Sequence, residues 1–455
     1  MIEQVIAHVE ESKSRNVERL CAFLKIPSIS TDAKRKPDVR REGEWVRDLL
    51  MGCGIKAELL DTPGHPAVLA DSGPADGGPT VLVYGHYDVQ PPGDLSLWKS
   101  EPFTPTIKDG SIFARGAADD KGQVLTYLLA AEAWMKIAKK MPVRVKFLIE
   151  GEEEVSSPNL GPIVKQHRDR LACDYVVLSD TAKWDDATPG ITYGTKGLVY
   201  KEIIVTGPKQ NLHSGSYGGT LTNPGNALAK IIASLRDHDN RVTIPGFYDD
   251  VKPLSDAERK MMAEIDFDEK KYQAYMGTSA LTGEKGYTTL ERRWARPTLD
   301  VNGMFGGFTD KGAMTIVPAK MSAKVSMRLV PDQDPEKISK AFETAVLEAA
   351  PEGVKVEFLT HGAVPAYVAP LDSPGVKAAA RAAELGWRKA PMFMREGGSL
   401  PILPMFRSIL GAESIMMGFC SQECNLHGPN EFLGVDDLHN GTKTVAYFWN
   451  ELTHA

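Results

Sequence analysis

Cysteine is scarce in this chain, with five residues in 455: Cys21, Cys53, Cys173, Cys420 and Cys424. An odd, scattered set builds no disulfide framework and points to a reducing compartment. Positive charge is not in excess either. Lys and Arg number 53 against 60 Asp and Glu, which leaves a formal −7, and no Lys/Arg-rich block interrupts the sequence. A nucleic-acid partner is therefore not expected. No run approaches the roughly 18 uncharged apolar residues of a membrane span. The opening stretch MIEQVIAHVEESKSRNVERLCAFLKIPSIS alternates apolar and charged residues at helical spacing, without the basic start and apolar core of a signal peptide. The expectation is a soluble, cytoplasmic protein with no membrane partner. Internal repeats and low-complexity segments are also missing.

What is present is ordinary in composition, with 42% hydrophobic and 25% charged residues, the balance of a globular protein. The length suits two or three domains. The apolar run Thr80–Val89 reads as a buried strand, Gly122–Lys140 as a long amphipathic helix and Val143–Glu150 as a second strand. Pro158–Arg170 reads as another helix and Asp174–Asp180 as a third strand. That succession predicts an α/β fold, a mainly parallel sheet with helices on both faces. From Gly197 the texture changes to alternating, half-exposed strands (Leu198–Gly207, Lys320–Pro331, Val354–Gly362) and two helices (Asn223–Asp237, Glu336–Ala350) around a polar stretch at Asp249–Arg296. This predicts an inserted α+β lid or dimerisation domain at residues 198–362. It interrupts a catalytic domain made of residues 1–197 and 363–455. Gly194, Gly197 and Gly362 fall near the joints and suggest hinges or turns with positive φ.

In open α/β sheets, ligands sit beyond the carboxyl ends of the strands. His86, Glu150 and Asp180 fall at such ends, with Asp88 and the acids to Glu154 just after. Four pieces carry the chemistry: GHYDVQP (Gly85–Pro91), RGAADDKG (Arg115–Gly122), EGEEEVSS (Glu150–Ser157) and LHGPNE (Leu426–Glu431). Histidines and acids without cysteine form an N/O donor set that suits Zn²⁺ and tolerates Mn²⁺ or Co²⁺. Glu153 and Glu154 cannot both face one site from a regular strand, so they must lie in a loop beyond it. Glu152 reads as a solvated acidic cap. GMFGGF (Gly303–Phe308) invites a phosphate-loop reading but lacks the GKS/T ending. Cys420 and Cys424 are read as structural.

Taken together and in this order, the four pieces resemble the dinuclear zinc exopeptidases and deacylases. That family includes carboxypeptidase G, acetylornithine deacetylase, succinyl-diaminopimelate desuccinylase and the carnosinase-like cytosolic dipeptidases. The resemblance runs from LCAFLKIPSIS to the final helix and includes SDTAKW, ITYGTKGLVY, NLHSGSYGG, RLVP and REGGSLP. ERRWARPTLDVNGMFGG is most similar to the dipeptidase branch. The resemblance implies two divalent cations, zinc first, with His86 and Asp180 on one, Glu154 and His427 on the other, and Asp119 bridging both. It implies that Asp88 receives the His86 ring N–H and that Glu153 is the general base. The Asp119–Asp120 peptide is often cis in the family, and the family usually has Gly–Ser where this chain has Ser156–Ser157.

The resemblance further implies a homodimer through the inserted domain, with His213 reaching a neighbouring copy's site. Arg328 and Ser399 would hold the substrate's carboxylate, and Thr315 and His361 are weighed as further contacts against plain surface roles. The expected activity is a metal-dependent dipeptidase acting on dipeptides or similar small substrates. The alternatives are an N-acyl-amino-acid deacylase or desuccinylase and, more remotely, a non-catalytic peptide-binding relative.

Overall fold

The computed structural model describes residues 1–454. The chain divides into two compact units. The first holds Met1–Tyr193, Ala369–Met394 and the segment from Met405 onward; the second holds Gly194–Val368 and Arg395–Pro404. Residues 395–404, expected with the C-terminal part of the catalytic domain, therefore belong with the inserted unit.

The strands that position the chemistry are β1 (Lys56–Leu60), β2 (Ala67–Asp71), β3 (Val81–His86), β4 (Val145–Glu150), β5 (Tyr175–Leu178) and β6 (Gly190–Thr195). The inserted unit contributes β7 (Gly197–Thr206), β8 (Thr298–Gly306), β9 (Lys320–Leu329) and β10 (Lys355–Val364), and β11 (Glu413–Gly418) follows. The large sheet runs β1-β2-β4-β3-β5-β11-β6. Its centre, β4, β3, β5 and β11, is parallel. Its flanks, β1, β2 and β6, are antiparallel. Every residue of β3 and β4 is buried, which explains the apolar run read at β3; Lys146 interrupts that of β4 and donates to the Ala172 carbonyl at 2.6 Å. From β3 the chain passes to β4 on one side and then to β5 on the other. That reversal opens a crevice at the carboxyl ends of these strands. His86 and Glu150 are register partners there.

Helix α1 (Lys121–Ala138), expected to be amphipathic, is buried from Lys121 to Ala131. It packs between the sheet, the N-terminal helices and the C-terminal helix Val435–Glu451. Its polar groups are satisfied inside the protein. Lys121 Nζ donates to Glu42 at 2.9 Å and to the Ile26 carbonyl at 2.8 Å. Gln123 donates to the Ala118 carbonyl and accepts the Phe419 N–H.

In the second unit the antiparallel sheet β8-β9-β7-β10 is covered on one face by α2 (Pro224–Ser234) and α3 (Pro335–Ala349). Val199, Ile203, Val325 and Met327 meet Leu228 and Phe342 in that core, as the two-residue alternation requires. The polar stretch forms three short helices, Asp256–Ala263, Glu269–Met276 and Thr289–Ala295, two of them started by capping boxes. Gly194, Gly197 and Gly362 do not have positive φ. Gly197 is required for a different reason: a Cβ there would stand 2.6 Å from the Val364 carbonyl.

Candidate dinuclear metal centre

Four loops leave the carboxyl edge of the parallel strands and bring the acids and histidines together. Two donor groups result, His86, Asp119 and Asp180 in one and Asp119, Glu154 and His427 in the other. Asp119 belongs to both. Its Oδ1 lies 3.1 Å from His86 Nε2 and its Oδ2 2.9 Å from His427 Nε2. Glu154 Oε2 is 3.3 Å from the same His427 nitrogen.

The residues fit a pair of divalent cations. His86 is fully buried, yet its Nε2 makes no hydrogen bond, as expected of a lone pair aimed at a ligand site. Four carboxylates, Asp119, Glu153, Glu154 and Asp180, face two imidazoles, an excess of negative charge that a buried site must offset with cations. The proton affinities record the same crowding. Asp180 is pushed up to about 7 by burial and by the Asp119 carboxylate. His427 is pushed up to about 10 by Asp119 and Glu154. Glu153 is pushed up to about 8 by burial, opposed by His86 and reinforced by Asp180, Asp119 and Glu154.

The adjacent acids are resolved by a single turn. Glu153–Val155 forms one 3₁₀ turn after β4, held by Asp88, whose two carboxylate oxygens accept the N–H groups of Glu153 (3.2 Å) and Glu154 (3.1 Å). The expected Asp88 contact to the ring is thereby corrected in part. His86 Nδ1 is 3.1 Å from the Asp88 backbone carbonyl and 3.4 Å from its carboxylate, so the main chain takes the ring N–H. Ser156 and Ser157 have φ of 70° and 48°, the left-handed region where glycine is least strained. Glu152 is not a solvated cap. It is buried and accepts the His65 N–H at 3.0 Å and the Asn159 side chain at 2.8 Å. The Asp119–Asp120 peptide is cis.

Glu431, unassigned from the sequence, is fully buried behind Asp119. Its carboxylate accepts the N–H groups of Gly116, Ala118 and Asp119 and pairs with Arg115 at 2.7 Å. Its only signal was its place in LHGPNE. Gln90, also unforeseen, donates to Glu154 at 2.8 Å.

The remaining expected residues lie in the second unit. Arg328 Nη1 donates to Ser399 Oγ at 2.8 Å, so the two residues expected to share a carboxylate are together. His213 is exposed, accepts the Ser216 N–H through Nδ1 and pairs with Ile316 on a two-residue strand beside Thr315. His361 is 3.3 Å from Glu202, and its ring lies tilted 5.3 Å from that of Tyr200 on the four-stranded sheet. Cys420 and Cys424 are buried. Among the described residues no helix is long and apolar enough to cross a membrane.

Comparison with known proteins places these features. The model of the peptidase family M20/M25/M40 matches residues 82–451. The Cys-Gly metallodipeptidase DUG1 of Candida albicans is 34% identical, covering 96% of this chain and 94% of its own. The human Beta-Ala-His dipeptidase is 29% identical, covering 99% and 93%. Among solved structures, human carnosine dipeptidase 1 is similar with a TM-score of 0.85 at 28% identity, covering 100% of this chain and 99% of that one. The M20 metallo-carboxypeptidase Sso-CP2 of Sulfolobus solfataricus gives 0.87 at 34% identity, covering 97% and 99%.

Proposed function

This chain belongs to peptidase family M20/M25/M40, and from that premise we propose that it is a metallodipeptidase that hydrolyses the peptide bond of small peptides with a free C-terminal carboxylate. The observation that carries the proposal is the pair of donor groups sharing Asp119, with Glu153 beside them. His86 and Asp180 would hold one divalent cation and Glu154 and His427 the other, zinc first by donor type, with Asp119 common to both. Bound there, the cations would acidify a water and polarise the scissile carbonyl.

The protein's own residues do the rest. Glu153, whose proton affinity near neutrality suits both halves of the task, takes the proton of the attacking water and returns it to the leaving amine nitrogen. Asp88 fixes the turn that aims Glu153 and Glu154. Glu431 and Arg115 fix the loop that aims Asp119. Arg328 and Ser399 hold the substrate's carboxylate, which an arginine fork suits. His213 serves a neighbouring copy in a homodimer, where it steadies the developing oxyanion.

The test is hydrolysis of a panel of dipeptides, a tripeptide, and N-acetyl and N-succinyl amino acids by metal-loaded, chelated and Zn²⁺- or Mn²⁺-restored protein. Dipeptides should be cleaved fastest, with activity lost on chelation and regained on restoration. A preference for the N-acyl substrates would move the reading to a deacylase, and a lack of turnover with every divalent ion would sink it.

A further inference from the structure

We propose that the inserted unit holds a second anion site, apart from the Arg328–Ser399 pair, for a small molecule carrying a phosphate or carboxylate group. It is a cavity of about 500 Å³ walled by Arg236, Arg292, Arg293 and Arg296 together with Glu284 and Asp300. The volume lies within the ~300–1,000 Å³ usual for small-molecule sites.

The charges in the wall do not balance. Four arginines against two acids leave an excess of two positive charges. Arg296 is committed to Glu284 through two hydrogen bonds of 2.7 and 2.8 Å, and Arg241 occupies the same carboxylate at 2.9 Å. Glu284 therefore has little left to offer the other three. Arg292 donates its Nε to the Glu284 backbone carbonyl at 2.9 Å, and no carboxylate pairs with it among the described residues. Arg236 stands 3.6 Å from Asp300, and Arg293 stands 3.7 Å from Glu396. Both are loose ion pairs, longer than hydrogen bonds. Three guanidinium groups thus face one cavity without a charge-assisted hydrogen bond to an acid. The planar fork of each matches the paired oxygens of a carboxylate or phosphate.

A buried lysine stands behind one of these arginines. Lys196 is buried and donates to the Arg292 carbonyl at 3.0 Å. Burial, with the Arg328 guanidinium nearby, pushes its ammonium down to about 7.

The cavity also adjoins the residues proposed to hold the substrate's carboxylate. Thr298, in its wall, is the register partner of Arg328 across β8 and β9, so their side chains share one face of the sheet. A Cβ on Gly397, two residues before Ser399, would lie 3.2 Å from the Arg293 carbonyl.

Calorimetric titration of the metal-loaded full chain with glycerol 3-phosphate and with succinate, each at constant ionic strength in chloride, tests the site. One saturable event per chain is expected with at least one of the two anions, and the anion that binds identifies the group recognised. The affinity should fall at least tenfold in Arg236→Gln/Arg292→Gln and persist in Arg328→Gln. Single Arg236→Gln, at an exposed position, should lower it in the same direction if the double variant unfolds. Absence of saturable binding overturns the proposal. So does binding that survives both arginine variants, which belongs to the metal centre, and binding lost in Arg328→Gln alone, which belongs to the substrate's carboxylate.

Discussion

Glu153 and Glu154 are neighbours in the chain with separate proposed tasks, and Asp88 holds the turn that carries both. Glu153→Gln should keep both cations and the fold while lowering turnover by about 10²–10⁴-fold, the range of general acid–base catalysis. Glu154→Gln, which alters the partner of His427 and Gln90, should lower metal content instead. Elemental analysis beside kcat separates the two; metal loss in Glu153→Gln with retention in Glu154→Gln would exchange the roles. Lys196 supports a second measurement. Its value in the folded protein, about 7, lies below the ~10.4 of free lysine. Between those pH values the unfolded chain binds a proton that the folded chain lacks, so this residue's contribution to stability rises with pH across that window and is flat below it. Urea unfolding of wild type and Lys196→Met from about pH 6 to about pH 10 should show the variant's relative advantage largest at the acid end and shrinking as pH rises. A difference independent of pH would mean that Lys196 keeps an ordinary proton affinity.

At the scale of elements, the loop Arg115–Asp119 depends on a carboxylate from the far end of the chain. Glu431→Gln leaves Arg115 buried without its counter-charge, which should cost on the order of 3–5 kcal/mol and lower metal content through the freed Asp119 loop. Denaturation midpoints and metal analysis check both effects; unchanged midpoints would make Glu431 dispensable. This dependence also marks where reading the sequence stopped. Strands β3, β4 and β5 were legible because burial leaves mainly apolar runs, broken only by Lys146 in β4, that lead into polar residues. The residues of both donor groups were legible from GHYDVQP, RGAADDKG, EGEEEVSS, SDTAKW and LHGPNE. Glu431 was visible in its motif, but its task exists only once a loop more than 300 residues earlier folds against it. Helix α1 was read as amphipathic for a related reason: Lys121 and Gln123 look like a solvent face, and only the tertiary partners Glu42 and Phe419 turn that face inward. Glu152 misled in the same way, because its partners His65 and Asn159 flank it from separate segments.

For the whole molecule, the proposed homodimer makes each active site a joint product of two chains. Protein carrying His213→Ala and protein carrying Glu153→Gln should each be inactive. Mixed under conditions that exchange subunits, they should regain activity approaching one working site per mixed dimer. No recovery despite demonstrated exchange would return His213 to its own chain's site or remove it from catalysis.

The interruption of the first unit by the second sets the timetable by which a ribosome can deliver this metal centre. His86, Asp119 and Asp180 have all been synthesised once residue 180 is added, but Glu154 waits for His427, and Asp119 waits for Glu431 to steady its loop. About 250 residues intervene, on the order of 10–50 s of translation. For that interval the nascent chain carries one nearly complete metal-binding half and cannot assemble the other. The segment that carries His427 and Glu431 therefore acts as the switch that completes the site, and a chain released before it should remain inert.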